Sequence, residues 1–175
     1  MDQAPAALMM WYGGQEGGHA IASVLFGDFT PSGKLPVTFP AQDRGTPRRS
    51  ATTPGENLHT EYTEGIYVGY RHYDRGNIEP LFPFGYGLSY TKFDYSDLKV
   101  SPEKVGPGRR VQVSMKVKNS GTRAGAEVVQ LYLHQGKSSV DRPPQELKGF
   151  RRVMLPPGQS QTRDVHTRPA GDVVL

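Results

Sequence analysis

The sequence predicts a mixed fold, in which a piece of an α/β layer is followed by an antiparallel β-sandwich. The chain has 175 residues, and its 21 glycines and 15 prolines are too many for a helical bundle. Charge divides it, because residues 1–90 carry 6 Lys and Arg against 9 Asp and Glu, whereas residues 91–175 carry 15 against 8. The second half also consists of short alternating apolar and polar runs between turn residues. We therefore expect two units, 1–90 and 91–175.

The first unit begins with an apolar run at residues 4–12, which is compatible with a buried strand. A glycine-rich turn follows, and the apolar residues between 20 and 25 then recur at helical spacing. Gly27 and the turn residues after it end this predicted helix. The order of strand, glycine turn and helix indicates the last part of an α/β layer.

A long segment without periodicity, residues 41–60, is predicted to be a surface loop. Residues 62–76 are rich in aromatic side chains and therefore favour strand structure, and residues 79–95 combine aromatic side chains with proline and glycine. We interpret this stretch as a packed connector rather than a flexible linker. Four of its aromatic residues are expected to seal the junction between the units: Tyr86, Tyr90, Phe93 and Tyr95.

The basic second unit raises the question of nucleic-acid binding. Around Lys116 and Lys118, however, the basic residues alternate with apolar ones, as in a strand with one face in water. We therefore expect no nucleic-acid partner. No apolar run approaches the ~20 residues that a membrane helix requires, so no membrane partner is expected.

Composition also argues against several chemistries. The chain has no cysteine, which removes disulfides, thiol nucleophiles and zinc ribbons. His59 and His72 lack the spacing of metal ligands, and neither Gly13–Gly18 nor the glycines at 85 and 87 complete a nucleotide-binding motif. No metal and no cofactor are expected. No signal peptide is visible at the N-terminus, and the sequence does not assign a cellular compartment.

Acidic and aromatic side chains supply the candidate site residues. Glu16 lies in the glycine turn before the predicted helix, where a carboxylate can anchor the helix N-terminus. It could alternatively form an acid/base pair for glycosidic bond cleavage with Glu61 or Glu64. Four aromatic residues are expected to be exposed and able to stack on sugar rings: Trp11, Tyr67, Tyr70 and Tyr73.

Three long motifs resemble the C-terminal region of glycoside hydrolase family 3 β-glucosidases. They are WYGGQEGGHAIASVLFGDFTPSGKLPVTFP at 11–40, YTEGIYVGYRHYD at 62–74 and PLFPFGYGLSYTKFDYSDL at 80–98. The stretches VKNSGTRAGAEVVQLYL at 117–133 and RPPQELKGFRRVMLPPGQS at 142–160 resemble that family's fibronectin type III-like domain. The resemblance implies the end of an α/β sandwich domain over 1–90 and a fibronectin type III-like β-sandwich over 91–175.

The resemblance also implies an activity for the parent enzyme, which is the retaining hydrolysis of terminal β-D-glucosyl residues. In that family an N-terminal barrel supplies the aspartate nucleophile, and the glutamate acid/base precedes the position of Glu16. Neither maps onto this chain, so we expect no catalytic residue here and no activity of the chain alone. Its implied partners are the missing barrel domain and, through the parent, a β-glucoside or oligosaccharide.

Two departures from the family pattern follow. Gly14 stands where the family usually has proline, and the sequence after Gln161 departs from the expected strands. We therefore expect an incomplete sandwich whose open edge is covered by self-association or by the tail acting as a substitute strand. Two other functions stay open: a free-standing carbohydrate-contact or interaction module, and a small autonomous β-glycosidase that uses Glu16 with Glu61 or Glu64.

Overall fold

The computed structural model describes residues 4–41, 64–106 and 109–166. Within these residues two helices precede five strands. Their bounds are α1 Gly17–Leu25, α2 Tyr70–Gly76, β1 Phe93–Ser101, β2 Gln112–Asn119, β3 Gly125–Leu133, β4 Glu146–Leu155 and β5 Ser160–His166. The predicted mixed fold, dominated by antiparallel sheets, is confirmed. Neither described helix has the length and apolar character needed to cross a membrane.

The strands form two sheets, one with the order β1-β2-β5 and one with β3 paired to β4. β2 is central in the first sheet and runs antiparallel to both neighbours. Because successive side chains of a strand point to opposite faces, Val113 and Val117 of β2 are buried whereas Lys118 is exposed. The alternating pattern of this segment therefore forms the predicted strand with one solvated face. The core between the sheets consists of Val117, Val129, Val153 and Leu155, with Phe93 and Met115 packed against it.

The sequence after Gln161 departs from the family pattern, yet residues 162–166 continue β5, as expected of a tail that acts as a substitute strand. β5 pairs with β2 from Lys118↔Ser160 to Gln112↔His166, and Val165 is buried. The turn before β5 is closed by a hydrogen bond from the Gly158 N–H to the Asn119 carbonyl. The tail therefore serves as a third strand of this sheet. Residues 167–175 lie outside the described residues.

The predicted strand at residues 4–12 is not formed. Its large apolar side chains from Leu8 to Tyr12 are exposed, and Tyr12 is fully so. An extended segment becomes a strand only when another strand pairs with it, and none of the strands of the described chain lies beside this one. The predicted helix that follows the glycine turn is present as α1.

The connector is tied to the preceding segment and to α1. Phe39 and Phe82 form an isolated antiparallel bridge, and the Leu35 N–H donates to the Tyr86 carbonyl over 2.8 Å. The Tyr90 hydroxyl donates to the Val24 carbonyl of α1 over 2.9 Å. Of the four predicted sealing residues, Phe93 packs against the core, while Tyr86, Tyr90 and Tyr95 remain partly exposed.

A largely buried ion pair joins the segment before the surface loop to β3, and the same lysine contacts the connector. Lys34 Nζ lies 3.0 Å from Glu127 Oε1 and donates to the Gly87 carbonyl over 2.8 Å. Nearby, Gln130 Nε2 donates to the Gly85 carbonyl over 3.0 Å. These contacts place the helical first unit directly against the sandwich.

Candidate functional site

The junction between α2 and the β3–β4 sheet gathers most of the polar and aromatic side chains that could bind a ligand. α2 has only seven residues, too few to be stable without tertiary contacts. Arg71 Nη2 pairs with Glu146 Oε1 at 3.0 Å, and the Leu147 N–H donates to the Tyr70 hydroxyl over 2.8 Å. The Tyr70 ring also stacks on Phe84 with centroids 4.9 Å apart. The sandwich therefore holds α2 in place.

Tyr67 supports the start of α2 rather than presenting a free aromatic face. Tyr67 is only 5% exposed, and its hydroxyl donates a hydrogen bond to the Asp141 carboxylate. The Arg75 guanidinium lies 3.8 Å from the centroid of the Tyr67 ring. The hydrogen bond to Asp141 raises the pKa of the Tyr67 phenol. The expectation that Tyr67 is exposed for sugar stacking is therefore wrong, because Arg75 covers the ring.

Two open cavities flank the side chains of Asp74 and Gln145, which are joined by a hydrogen bond of 3.0 Å. The first has a volume of about 600 Å³ and is lined by Tyr73, Asp74, Asn77, Ile78, Glu79, His134, Pro144 and Gln145. The second, of about 530 Å³, is also lined by Asp74 and Gln145, together with the aromatic rings of Tyr70, Phe84, Tyr86 and Tyr132. We call the two cavities together the junction groove.

The remaining aromatic candidates occupy different places. Tyr70 lines the second cavity and Tyr73 the first, although Tyr73 is only 6% exposed because it packs inside the junction. The expected exposure of Tyr73 is therefore also wrong. Trp11 is partly exposed within the N-terminal apolar segment and lines neither cavity. Contact of these residues with a sugar stays a prediction.

The candidate carboxylates are not brought into a common cleft. Glu16 is highly exposed, and its Oε2 lies 2.6 Å from His19 Nδ1. The Glu64 carbonyl accepts a hydrogen bond from the Tyr67 N–H, and neither carboxylate lines the junction groove. Glu61 lies outside the described residues. Over the described ranges, no group of three or more His, Asp or Glu side chains could hold a metal ion.

Sequence reasoning missed Lys34, Glu127, His134 and Gln145 as members of this junction. Lys34 and Glu127 are 93 positions apart, and Asp74 and Gln145 are 71 apart. Such pairs carry no local spacing signal, since only the docking of the sandwich against α2 and the connector brings them together.

Comparison with known protein families identifies both units. The glycosyl hydrolase family 3 C-terminal domain matches residues 1–90, and the fibronectin type III-like domain matches residues 127–170. The chain therefore belongs to glycoside hydrolase family 3, and it corresponds to the C-terminal part of that family's β-glucosidases.

The relatives agree with this assignment. Thermostable β-glucosidase B of Acetivibrio thermocellus is 52% identical over 162 residues, which are 93% of this chain and 21% of that protein. A β-glucosidase of Rhizobium radiobacter is 46% identical, over 94% of this chain and 20% of its own length. The structure of β-glucosidase 3B from Thermotoga neapolitana in complex with glucose has a TM-score of 0.83 at 42% identity, over 91% of this chain and 22% of that one. The chain thus spans about a fifth of the length of the curated relatives it matches.

Proposed function

We propose that these residues act as the C-terminal part of a retaining β-glucosidase whose whole chain hydrolyses terminal β-D-glucosyl residues. The observation that carries this proposal is the 52% identity to a β-glucosidase over 93% of the chain. In the proposed enzyme the aspartate nucleophile and the glutamate acid/base come from outside these 175 residues. The partners are accordingly a barrel domain and, through the whole enzyme, a β-glucoside or oligosaccharide, with no part for nucleic acid, membrane or cofactor.

The position of the acidic residues supports the proposal that the catalytic carboxylates come from outside these 175 residues. Retention requires two carboxylates about 5–5.5 Å apart across one sugar site. Glu16 instead pairs with His19 at the surface, and neither Glu16 nor Glu64 lines either cavity of the junction groove. The chain by itself is therefore proposed to be inactive.

An exposed apolar surface supports packing against the rest of such an enzyme. It consists of Leu8, Met9, Met10, Trp11 and Tyr12 before α1 and of Leu25 and Phe26 at its end, and we call these residues the α1 apolar face. Leaving so many large apolar side chains in water is unfavourable, and such exposure usually marks an interaction site. We infer that the remainder of the α/β domain and the barrel cover this face.

A chimera tests the proposal. The matched C-terminal segment of the Acetivibrio relative is replaced by this chain, and hydrolysis of an aryl β-glucoside is measured. We expect activity within about tenfold of the relative, and none when the segment is simply deleted. The double variant Leu25→Asp/Phe26→Asp in the chimera should abolish activity, while Phe150→Asp, at an exposed position on β4, should not. A folded chimera without activity would overturn the proposal.

A further inference from the structure

The junction groove has the size of a ligand site that the assigned family role does not use. Its cavities of about 600 and 530 Å³ each fall within the ~300–1,000 Å³ typical of small-molecule sites. Both are open to solvent, and both are lined by Asp74 and Gln145. The two cavities therefore adjoin at this hydrogen-bonded pair and form two compartments.

The first compartment offers hydrogen-bonding groups of both kinds. Tyr73 is 6% exposed, and its hydroxyl forms no hydrogen bond with any residue that the structure describes. Burial raises the pKa of this phenol, so it stays protonated at neutral pH and can donate. His134 Nδ1 lies 2.5 Å from the Pro144 carbonyl, and because a carbonyl only accepts, Nδ1 carries the proton. In the neutral ring, Nε2 is then left as an acceptor.

The Tyr73 hydroxyl is not one of the fully buried polar atoms that lack a partner, so solvent in the cavity reaches it. Tyr73 lines the same cavity as Asn77 and Glu79, which add an amide and a carboxylate. A ligand hydroxyl can donate and accept at once, so it can satisfy each of these groups. Several hydroxyls on one small ring match this lining better than a single charged group does.

The second compartment is aromatic. Tyr70 stacks on Phe84 and meets the edge of Tyr132, with centroids 6.0 Å apart, while Tyr86 stacks on Phe82 at 5.3 Å. Aromatic side chains provide an apolar face beside a polar hydroxyl tip. Such a face suits the C–H side of a sugar ring, whose hydroxyls project around the rim.

Charge selects among sugars. Lys34, the cation that lines the second compartment, is already paired with Glu127. Asp74 is bonded to the Gln145 amide, and no ion pair joins Glu79 to any described residue. The groove therefore carries uncompensated negative charge, which disfavours phosphorylated, sulfated or uronic acid ligands.

We propose that the junction groove binds a neutral oligosaccharide, with one sugar ring against the aromatic compartment and the next among Tyr73, Asn77 and His134. The affinity is low, with a Kd of ~1 mM, because an open groove leaves much of the ligand in water. This inference concerns binding by the chain itself, so its test is separate from the activity of the chimera.

The test is an NMR titration of the 175-residue chain with three sets of trisaccharides. Cellotriose and laminaritriose are the neutral probes, trigalacturonate is the anionic probe and the glucosamine trimer of chitosan is the cationic probe. We expect saturable shifts from at least one neutral probe, confined to amides of the residues that line the two compartments, and at least tenfold weaker binding of the anion. No saturable shift from either neutral probe, or a cationic trimer that binds tenfold more tightly than both, would overturn the proposal.

Variants locate the binding. Tyr73→Phe removes the hydroxyl and keeps the ring, and Tyr86→Leu removes one aromatic platform, so each should weaken binding of the neutral probe at least fivefold. Tyr12→Phe is the matched control, since its hydroxyl is fully exposed and remote from the groove lining. Unchanged binding in both groove variants, with circular dichroism spectra like that of the native chain, would contradict the proposed site.

Discussion

Asn119 is a buried polar residue whose side chain is fully hydrogen-bonded. Its Oδ1 accepts from the Thr91 hydroxyl at 2.6 Å and the Gly121 N–H at 3.1 Å. Its Nδ2 donates to the carbonyls of Arg123 at 2.7 Å and Leu155 at 2.9 Å. One side chain thus joins the segment that leads into β1, the turn after β2 and the end of β4.

Replacing Asn119 should therefore be costly. Asn119→Ala leaves buried donors and acceptors without partners, each worth about 1–3 kcal/mol, so we expect a loss of ~3 kcal/mol in the free energy of unfolding. Thr91→Val removes a single bond and should cost about 1 kcal/mol. Urea unfolding measures both, with the exposed amide variant Gln112→Ala as the control. A loss below 1 kcal/mol for Asn119→Ala would contradict this role.

Tyr95 predicts how stability depends on alkaline pH. Desolvation, the nearby Glu127 charge and a hydrogen bond to Glu127 raise the pKa of its phenol well above the ordinary value near 10. The unfolded chain therefore loses this proton first, so the stabilisation holds below about pH 10 and is lost as the pH rises further. Tyr95→Phe should flatten the fall in unfolding free energy between pH 9.5 and 11. An unchanged slope would show that Tyr95 does not contribute.

At the scale of elements, the connector depends on close backbone packing at Gly87. A Cβ at this position would lie 2.2 Å from the Gly33 carbonyl oxygen, a contact that only a backbone shift can relieve. We expect Gly87→Ala to destabilise the chain by about 2 kcal/mol or more. Gly106→Ala is the control, since none of the described residues has an atom within 4 Å of its Cβ position. Thermal unfolding compares the two, and equal midpoints would contradict this account of the connector.

Elements with a strong local pattern could be predicted from the sequence, and those held by distant partners could not. The alternation in β2 and the helical spacing in α1 each produced the expected element. Residues 70–76 were expected to favour strand structure because they are aromatic, yet they form α2, which Arg71 and Tyr70 fasten to β4. Long-range contacts therefore override local propensity there.

At the scale of the whole molecule, the family was predictable from long motifs, whereas the junction groove was not. The groove depends on pairs such as Asp74 and Gln145, which only the packing of the two units brings together. The same packing buries Tyr67 and Tyr73, so their expected exposure failed. The catalytic role considered for Glu16 with Glu61 or Glu64 stays an alternative, and the variants below test Glu16 and Glu64 directly.

The exposed surfaces predict self-association of the isolated chain. The α1 apolar face is uncovered, and each of the two sheets ends in strands that have an unpaired edge among the described residues. Sedimentation velocity should show a species larger than a monomer at micromolar concentration. If the α1 apolar face drives self-association, the double variant Leu25→Asp/Phe26→Asp should restore the monomer. If a sheet edge drives it, Phe150→Lys on β4 should restore the monomer instead. A concentration-independent monomer of the native chain would contradict this expectation.

The central claim, that these residues serve a β-glucosidase without providing its catalytic carboxylates, is tested most directly by the activity of the chain alone. Hydrolysis of an aryl β-glucoside is measured on the purified 175-residue chain beside Glu16→Gln and Glu64→Gln. We predict no turnover above the uncatalysed rate in any of the three samples. Reproducible turnover by the native chain that either substitution abolishes would contradict the claim and favour a small autonomous glycosidase.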